Sequence, residues 1–358
     1  MSKAKKVMLM AGGTGGHIYP ALACAERFAD LGVDVEWIGS AGGMEERIVR
    51  EHDILLHTLS IKGVRGKGTL GLVLAPWRIA HSIGQAIAVM RKAKPDLVLG
   101  MGGFVAGPGG VAAKLLGIPV VVHEQNAVSG TTNRLLSNIA KLKLQAFDGA
   151  LQNGMTVGNP VRNSILQQIA RQPREQGARP LRLLVLGGSL GAKAINDIVP
   201  DLLMNWKGEN RLDVWHQTGA RNIETVEERY RALGVEARVD AYIDNMNQAY
   251  YWADIVLCRA GAMTVSELAI AGLPSILVPF PFAIDDHQTK NALALQKVGG
   301  AFLIPQKDLT VEGLSKVLMA CVTEQDKLKE MARRAKEVAR PDATQTVVAQ
   351  CIRLMKND

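Results

Sequence analysis

The stretch VMLMAGGTGGHIYPALA, residues 7–23, decides the fold, because an apolar run leads through a glycine-rich turn into a helical pattern. LRLLVLGGSLGAKAIND, residues 181–197, repeats this order in the second half of the chain. Glycine allows positive φ and close backbone approach, and the unpaired amides of a helix start favour an anion. Two such turns predict two Rossmann-like halves that bind a shared, phosphate-containing substrate. We number the glycine-rich turns in chain order: the first at residues 11–17, the second (GMGGFVAGPGG) at 100–110 and the third at 186–192.

Length and composition limit the class of protein. The 358 residues, 47% of them hydrophobic, exceed the usual size of one domain and predict two cores. No apolar stretch is long enough to span a membrane, and the opening residues lead into a strand instead of a signal peptide, which predicts a cytoplasmic protein. Four cysteines without C-x-x-C spacing predict reduced, buried thiols. The net charge of +8 suits an anionic substrate or lipid surface better than nucleic acid, because only 4% of residues are aromatic.

Apolar runs alternate with helix-length segments in both halves, which predicts an α/β fold with parallel sheets. Asn159-Pro160 and the polar stretch that follows mark the boundary between the halves. We therefore expect a first domain at residues 1–162, a second at 163–340, and a last helix at 341–358 that can cross back to the first domain.

A set of motifs extends over most of the chain: GGTGGHIYPALA (12–23), GMGGFVAGPGG (100–110), HEQNAVSG (123–130), VGNPVR (157–162), LGGSLGA (186–192), CRAGAMTVSELAIAGLP (258–274) and DDHQTKNA (285–292). Their identity and order resemble the MurG family, glycosyltransferases of family 28. This family transfers N-acetylglucosamine from UDP-N-acetylglucosamine (UDP-GlcNAc) to undecaprenyl-diphospho-N-acetylmuramoyl-pentapeptide. The resemblance covers about residues 7–345 and implies a GT-B fold, two Rossmann-like domains with parallel sheets facing a central cleft.

The resemblance also implies which residues bind UDP-GlcNAc: Thr14, Gly15, Gly16, Asn126, Arg162, Ser189, Ile243, Ala262, Met263, Thr264, Val265, Ser266, Glu267, Gln288 and Asn291. Residues 260–267 read as a small-residue turn that continues into a helix whose start can hold phosphate. Glu267 lies where a carboxylate can accept hydrogen bonds from both ribose hydroxyls. The alternative is an ordinary acidic residue favoured by the helix dipole.

Several donor contacts have structural alternatives. Ser189 can donate to a diphosphate oxygen or cap a helix, and Arg162 can bind phosphate or form a salt bridge at the domain junction. The family contact at Ile243 is through its backbone to uracil, whereas its side chain is expected to pack. Gln288 and Asn291 resemble positions that contact sugar hydroxyls. The role of His287 stays open, because some relatives have two consecutive glutamines where this chain has His287-Gln288.

The family reaction inverts the donor sugar in one displacement by the C4 hydroxyl of the muramoyl sugar, so it needs one general base. His17 is the first candidate, because it ends the first turn and histidine titrates near neutral pH. A hydrogen bond from His17 to a diphosphate is an equally good interpretation. Glu124 is a second candidate base, and the neighbouring His123 can equally be a core histidine.

The acceptor carries a lipid diphosphate, for which Gly12, Gly13, Gly102 and Gly103 of the first and second turns are candidates. Residues 61–94 mix apolar side chains such as Leu70 and Trp77 with cations such as Lys62, Arg65 and Lys67. This pattern fits a segment that contacts an anionic membrane surface, here the cytoplasmic face of the plasma membrane, but a buried helix with a charged edge also fits it. The sequence leaves open whether other cell-wall synthesis and division proteins are partners.

No D-x-D motif is present and Asp285-Asp286 lacks that spacing, so we expect neither a metal nor a cofactor. A nicotinamide-dependent oxidoreductase is a weak alternative, since none of the turns has the G-x-G-x-x-G spacing. A UDP-sugar 2-epimerase is a stronger one, because it shares the scaffold and the donor contacts but needs no lipid acceptor.

Overall fold

A computed structural model describes residues 4–61, 75–162, 179–188, 191–208, 211–324 and 326–356. The chain divides into two compact units, one formed by Met1–Arg162 with Pro341–Asp358 and the other by Asn163–Arg340. Both units are α/β with parallel sheets, so the prediction of two Rossmann-like domains is confirmed. The four cysteines are buried with free thiols.

The first unit is built on a seven-stranded parallel sheet in the order β3-β2-β1-β4-β5-β6-β7. Its strands are β1 (Lys6–Ala11), β2 (Asp34–Ser40), β3 (Leu55–Leu59), β4 (Leu97–Gly102), β5 (Val120–Glu124), β6 (Leu142–Gln145) and β7 (Met155–Thr156). Its helices are α1 (Gly15–Asp30), α2 (Met44–Arg50), α3 (Ala75–Ala93), α4 (Ala106–Leu115), α5 (Thr131–Ser137) and, from the end of the chain, α13 (Ala343–Lys356). Side chains of β1 alternate between two cores, Val7 and Leu9 in one and Met8 and Met10 in the other. Both faces of the sheet are thus covered, which explains the continuous apolar run.

Helix α13 belongs to the core of the first unit. Val347 and Cys351 are buried in the same cluster as Phe28 of α1. The hydroxyl of Thr344 also donates to the carbonyl oxygen of Val161, at 3.3 Å.

The second unit has a six-stranded parallel sheet in the order β10-β9-β8-β11-β12-β13. Its strands are β8 (Leu181–Leu186), β9 (Leu212–Gln217), β10 (Arg238–Asp240), β11 (Ile255–Cys258), β12 (Ser275–Leu277) and β13 (Ala301–Leu303). Its helices are α6 (Lys193–Met204), α7 (Ile223–Ala232), α8 (Met246–Trp252), α9 (Ala262–Ala271), α10 (His287–Lys297), α11 (Val311–Thr323) and α12 (Lys327–Glu337). In each unit the first strand lies in the middle of the sheet. The next two strands are added on one side of it and the later strands on the other, so the strand order changes direction between β1 and β4 and between β8 and β11. Parallel α/β sheets place ligands outside the carboxyl ends of the strands at this reversal.

Candidate active site

The first and second turns meet at the carboxyl ends of β1 and β4, which are neighbouring strands. Gly13, Gly102 and Gly103 have positive φ angles of 90°, 104° and 83°. A Cβ atom at Gly103 would collide with the backbone of Gly12, so only glycine allows the two turns to approach this closely. The strand order therefore joins two sequence-distant glycine turns into one small surface.

The buried carboxylate of Glu45 accepts hydrogen bonds from the first turn and from the end of β2. Glu45 of α2 is fully buried, and its Oε2 accepts a hydrogen bond from the amide of Gly13 at 3.2 Å. Its Oε1 accepts from the amide of Ser40 at 2.7 Å and from the Ser40 hydroxyl. A Cβ atom at Gly12 would collide with this carboxylate. The Gly13 amide is thus already engaged, while its role at the acceptor diphosphate stays a prediction.

His17 lies in the first turn of α1 and is half-buried. Its imidazole ring packs against Gly102, where a Cβ atom would lie 2.8 Å from Nδ1. Nδ1 of His17 is 2.9 Å from Oε1 of Gln125, the residue that follows β5. The predicted base thus touches residues that follow or end two other strands of the sheet.

Glu124, the second candidate base, is committed to structural hydrogen bonds. Its Oε1 accepts from the backbone amide and the side chain of Asn126, and its Oε2 accepts from the amide of Gly130 and the side chain of Asn133. The residue is only 1% exposed. This geometry suits a carboxylate that holds the loop after β5, and it favours His17 over Glu124 as the base.

Arg162 lies at the end of the first unit. Its guanidinium stacks on the ring of Tyr19 in α1, with 5.1 Å between Cζ and the ring centroid. Within the described part of the chain it forms no salt bridge, so the structure supplies no partner for the junction ion pair considered above. Stacking on Tyr19 restricts the rotamers of this cation while leaving its donors available.

The second unit has a cavity of about 170 Å³ at the carboxyl ends of β8 and β11. It is lined by Leu186, Gly188, Gln217, Tyr242, Ile243, Met246, Tyr250, Cys258, Arg259, Thr264 and Glu267. Glu267 is 9% exposed, and its Oε2 accepts a hydrogen bond from the Tyr250 hydroxyl at 2.8 Å. Ile243 is only 5% exposed, so its side chain packs into the wall. The cavity brings the predicted ribose and uracil positions together.

The third turn is held by Gln217 of β9. The amide of Gly188 donates to Oε1 of Gln217 at 3.0 Å, and Nε2 of Gln217 donates back to the carbonyl oxygen of Gly188 at 3.0 Å. Nε2 also donates to the carbonyl oxygen of Ala241 at 3.1 Å. Ser189 lies outside the described residues.

Helix α9 begins at Ala262, directly after Gly261, and contains the rest of the predicted phosphate-binding segment, Met263, Thr264, Val265 and Ser266. Its first backbone amides lie at the helix start, where the dipole favours an anion. The hydroxyl of Ser266 donates within the helix to the carbonyl oxygen of Ala262 at 2.9 Å. Thr264 instead lines the cavity.

The loop before α10 arranges the predicted sugar contacts. Gln288 is half-buried, and its Oε1 accepts from the amide of Phe280 at 2.9 Å. Asn291 is fully buried and donates to the carbonyl oxygen of Ala260 at 3.2 Å, which ties α10 to the start of α9. His287 is held by the carbonyl oxygen of Ile284 at 2.7 Å. The acceptor oxygen of Gln288 is thus used internally, and its NH₂ group is the end suited to a sugar hydroxyl.

Of the basic and apolar segment at residues 61–94, positions 62–74 lie outside the described residues, among them Lys62, Arg65, Lys67 and Leu70. Trp77 at the start of α3 is 75% exposed, Ile79 is 40% exposed, and Arg78 between them is also exposed. None of the described helices is both long enough and apolar enough to cross a membrane. The described residues also hold no group of three His, Cys, Asp or Glu side chains that could bind a metal ion, and metal independence stays a prediction.

Sequence reasoning missed four polar residues that support the site: Glu45, Gln125, Gln217 and Tyr250. Gln125 stands inside the HEQN motif, between two residues that the sequence did single out. Glu45 looked like an ordinary acidic residue at a helix start. The available signal was position, because Gln125 and Gln217 follow or end a strand at the ligand-binding edge of a sheet.

Comparison with known proteins identifies the family. Residues 7–144 match the glycosyltransferase family 28 N-terminal domain, and residues 182–347 match the glycosyltransferase family 28 C-terminal domain. A protein of Shewanella amazonensis is 50% identical over 98% of both chains, and one of Pseudomonas fluorescens is 50% identical over 97% of this chain and 98% of its own. Both carry the name UDP-N-acetylglucosamine–N-acetylmuramyl-(pentapeptide) pyrophosphoryl-undecaprenol N-acetylglucosamine transferase. The crystal structure of Acinetobacter baumannii MurG is 39% identical, covers 98% of this chain and 99% of its own, and superposes with a TM-score of 0.83.

Proposed function

The chain belongs to glycosyltransferase family 28, and on that basis we propose that it transfers N-acetylglucosamine from UDP-GlcNAc to undecaprenyl-diphospho-N-acetylmuramoyl-pentapeptide. The acceptor atom is the C4 hydroxyl oxygen of the muramoyl sugar, and the reaction belongs to peptidoglycan synthesis. One observation carries the proposal: relatives that are half identical over nearly the whole of both chains are named for this transfer. The epimerase alternative has no comparable support, because those full-length relatives are named as transferases.

Most of the proposed donor contacts belong to the second unit. Its cavity supplies a carboxylate, Glu267, oriented by Tyr250 and suited to accept from two ribose hydroxyls. The backbone next to the buried Ile243 contacts the uracil ring. The start of α9 binds the diphosphate, and Gln288 and Asn291 contact the sugar. Since most of these groups are tied to neighbouring residues, the pocket is largely preformed.

The displacement itself needs one base and stabilisation of one leaving group. His17 removes the proton from the C4 hydroxyl while that oxygen bonds to the anomeric carbon, and the bond from this carbon to the diphosphate breaks. The α-linked donor thereby gives a β1,4-linked product. The negative charge that develops on UDP is stabilised by helix-start amides and by Arg162. Thr14, Gly15, Gly16 and Asn126 complete the contacts to the donor.

The acceptor diphosphate binds to the first and second turns in this proposal. Gly12, Gly102 and Gly103 carry no side chain of their own, so their backbone can approach an anion closely. The Gly13 amide is the exception, since it donates to Glu45 in the structure. The remaining amides of the two turns therefore carry most of this recognition.

We further propose that the protein acts as a peripheral protein at the cytoplasmic face of the plasma membrane. The exposed Trp77 and Ile79 beside Arg78 support this proposal, since an aromatic ring next to a cation suits the headgroup region of an anionic bilayer. Co-sedimentation with vesicles containing anionic phospholipid tests it. Trp77→Ser should weaken binding severalfold, while Met204→Ser, which removes an exposed apolar residue from the second unit, should not. Equal loss in both variants would contradict the proposal. Partners among other cell-wall synthesis and division proteins can be sought by pull-down with the same pair of variants.

A transfer assay tests the reaction directly. Purified protein is incubated with labelled UDP-GlcNAc in EDTA, with and without an acceptor analogue that carries a shortened, soluble lipid chain. We expect sugar transfer and UDP release only with the acceptor, and no loss of rate in EDTA. Formation of UDP-N-acetylmannosamine without acceptor, with no net release of UDP, would instead identify an epimerase. Loss of transfer in EDTA, restored by Mg²⁺ or Mn²⁺, would contradict metal independence while keeping the transferase assignment.

A further inference from the structure

We propose that Gln125 is a positioning residue for the transfer reaction: its side chain holds His17 in the tautomer with the proton on Nδ1 and the reactive lone pair on Nε2. This proposal rests on the proposed function, because it assumes that His17 is the general base. Three hydrogen-bonded side chains, His123, Gln125 and His17, carry it.

The chain of hydrogen bonds begins at His123, which is fully buried in β5. Its Nε2 lies 2.9 Å from the carbonyl oxygen of Gly158. A carbonyl oxygen can only accept, so Nε2 carries a proton. Burial lowers the pKa of His123 to about 4, although the Gly158 hydrogen bond and the charge of Glu124 act in the opposite direction. The ring is therefore neutral at neutral pH, and its Nδ1 has a lone pair.

The orientation of the Gln125 amide follows from its neighbours. One terminal atom lies 3.1 Å from the carbonyl oxygen of His123 and 3.1 Å from Nδ1 of the same residue. Both of these atoms are acceptors, so the terminal atom must be the NH₂ nitrogen. The backbone is held as well, because the side chain of Asn159 donates to the carbonyl oxygen of Gln125 at 3.0 Å. The opposite terminal atom, Oε1, consequently faces His17.

The tautomer of His17 follows from this orientation. Oε1 of Gln125 lies 2.9 Å from Nδ1 of His17 and can only accept, so Nδ1 must carry a proton. In the neutral ring the lone pair is then on Nε2, for which the described residues provide no hydrogen-bond partner. The same ring packs against Gly102. A proton from an attacking hydroxyl can therefore be accepted at Nε2.

The neutral amide of Gln125 holds the histidine tautomer here, as the aspartate carboxylate does in the Ser-His-Asp triad. In that triad, a partner of the wrong hydrogen-bonding type leaves the wrong tautomer and greatly slows turnover. Gln125 sets the proton position without adding a formal charge beside the ring. The donors of the amide are both used by His123, which keeps it from rotating. In this proposal the buried His123 fixes the orientation of the Gln125 amide.

The tautomer can be measured without substrate. Protein labelled with ¹⁵N-histidine is studied by long-range ¹H–¹⁵N correlation spectra at about pH 8, where an ordinary imidazole is neutral. The spectrum of His17→Asn identifies the His17 signals by their loss. We expect a protonated Nδ1 and an unprotonated Nε2 for His17, and mixed or reversed tautomers in Gln125→Leu. A protonated Nε2 in the unsubstituted protein would overturn the proposal.

Kinetics distinguish positioning from a structural role. Gln125→Leu should lower kcat about tenfold to a hundredfold with an unchanged KM for UDP-GlcNAc, because only base catalysis is affected. In a His17→Ala background the same substitution should change kcat by less than about twofold, since the residue acts through His17. Gln85→Leu is the matched control: the Gln85 side chain accepts from the Ser60 amide and donates to the Ser60 hydroxyl in the same unit, and it forms no hydrogen bond with the described residues of the turns. It should leave kcat unchanged.

The outcomes separate the two proposals. An equal loss of kcat with and without His17 would show that Gln125 supports the fold, and it would overturn the positioning role even if transfer is robust. If the unsubstituted protein shows no acceptor-dependent transfer, the proposed function fails, whatever tautomer is measured. If Gln125→Leu does not fold, the tautomer of the unsubstituted protein still decides.

Discussion

The first and third glycine-rich turns follow equivalent strands, β1 and β8, but different side chains hold them. In the first unit the amide of Gly13 donates to the carboxylate of Glu45. In the second unit the amide of Gly188 donates to the carboxamide of Gln217, which donates back to the same residue. The two turns therefore follow equivalent strands and have different electrostatic surroundings.

In the proposed reaction, this difference suits the two turns to different roles. The buried carboxylate of Glu45 repels an anion that binds to the first turn, whereas the carboxamide of Gln217 adds no formal charge beside the third turn. The third turn is thus the better place for the diphosphate of the donor. The first turn, with His17 at its end, is the better place for proton transfer from a hydroxyl. In the proposed reaction, turnover should accordingly depend more on the first turn and donor affinity more on the third.

The largest effect that would test this comparison is expected at His17. His17→Ala should lower kcat by about 10²- to 10⁴-fold, or roughly 3 to 5 kcal/mol, because the attacking hydroxyl loses its base. Binding of UDP, measured by calorimetry, should change by less than about threefold. His52→Ala, at an exposed histidine of the same unit, is the control. A variant with unchanged kcat would remove His17 as the base, and one with weakened UDP binding would favour its role as a phosphate ligand.

The loss of stability on acidification tests the buried histidines, His123 in the first unit and His216 in the second. Burial lowers the pKa of His123 to about 4 and that of His216 to about 3, from an ordinary value of 6.5. As the pH falls below 6.5 the unfolded chain binds protons that the folded chain does not, so this stability is intact above pH 6.5 and lost toward pH 4. Each histidine should cost about 3 kcal/mol of unfolding free energy by pH 4.

Guanidinium denaturation at pH 7 and pH 4 measures this loss. His216 lies between the Tyr230 hydroxyl and the Asn196 side chain, at 2.8 and 3.1 Å. His216→Gln should be less stable at pH 7, but it should lose about 3 kcal/mol less on acidification, because it has no proton to bind. The same acid-induced loss in both proteins would show that His216 is not the titrating group.

The next effect is expected in the second unit. Glu267→Ala should weaken UDP binding about tenfold to a hundredfold, as expected for loss of charged hydrogen bonds worth roughly 1.5 to 3 kcal/mol. At saturating donor kcat should fall much less than in His17→Ala. Glu312→Ala, at an exposed acidic residue of α11, is the control, and Tyr250→Phe should give a smaller loss of a few fold. If Glu267→Ala binds UDP normally, the carboxylate does not contact the ribose and is an acidic residue favoured only by the helix dipole.

The smallest effect should come from exchanging the types of side chain that hold the two turns, Glu45 and Gln217. Gln217→Glu places a charge below the third turn and removes the donors to Gly188 and Ala241, and it should weaken UDP binding about tenfold. Glu45→Gln removes the charge below the first turn. If its oxygen accepts from Gly13, its NH₂ group faces the Ser40 amide, which lowers stability. The folded variant should leave UDP binding unchanged but lower the KM of the acceptor severalfold. Calorimetry and steady-state kinetics check the pair. If both substitutions changed UDP affinity equally, the electrostatic contrast between the turns would be wrong.

Much of the fold was predictable, because it depends on local pattern. Apolar runs such as residues 181–186 alternate with amphipathic segments, and this periodicity is typical of buried parallel strands and their covering helices. The candidate ligand positions were also predictable from motifs that contain their own turns. The supporting residues were not: Gln125 and His17 are 108 residues apart, and only the adjacency of strands β1, β4 and β5 brings them together.

The sequence by itself determined two α/β halves, glycine turns at the ends of their first strands, and the family to which these motifs belong. Each of these properties is encoded within a short window, through hydrophobic periodicity and the backbone freedom of glycine. Only the tertiary structure decided that α13 completes the first core, that Tyr250 donates to Glu267, and that Oε1 of Gln125 lies beside Nδ1 of His17. These depend on contacts between distant segments, and hydrogen-bond direction at a buried side chain can be read only when all of its neighbours are in place.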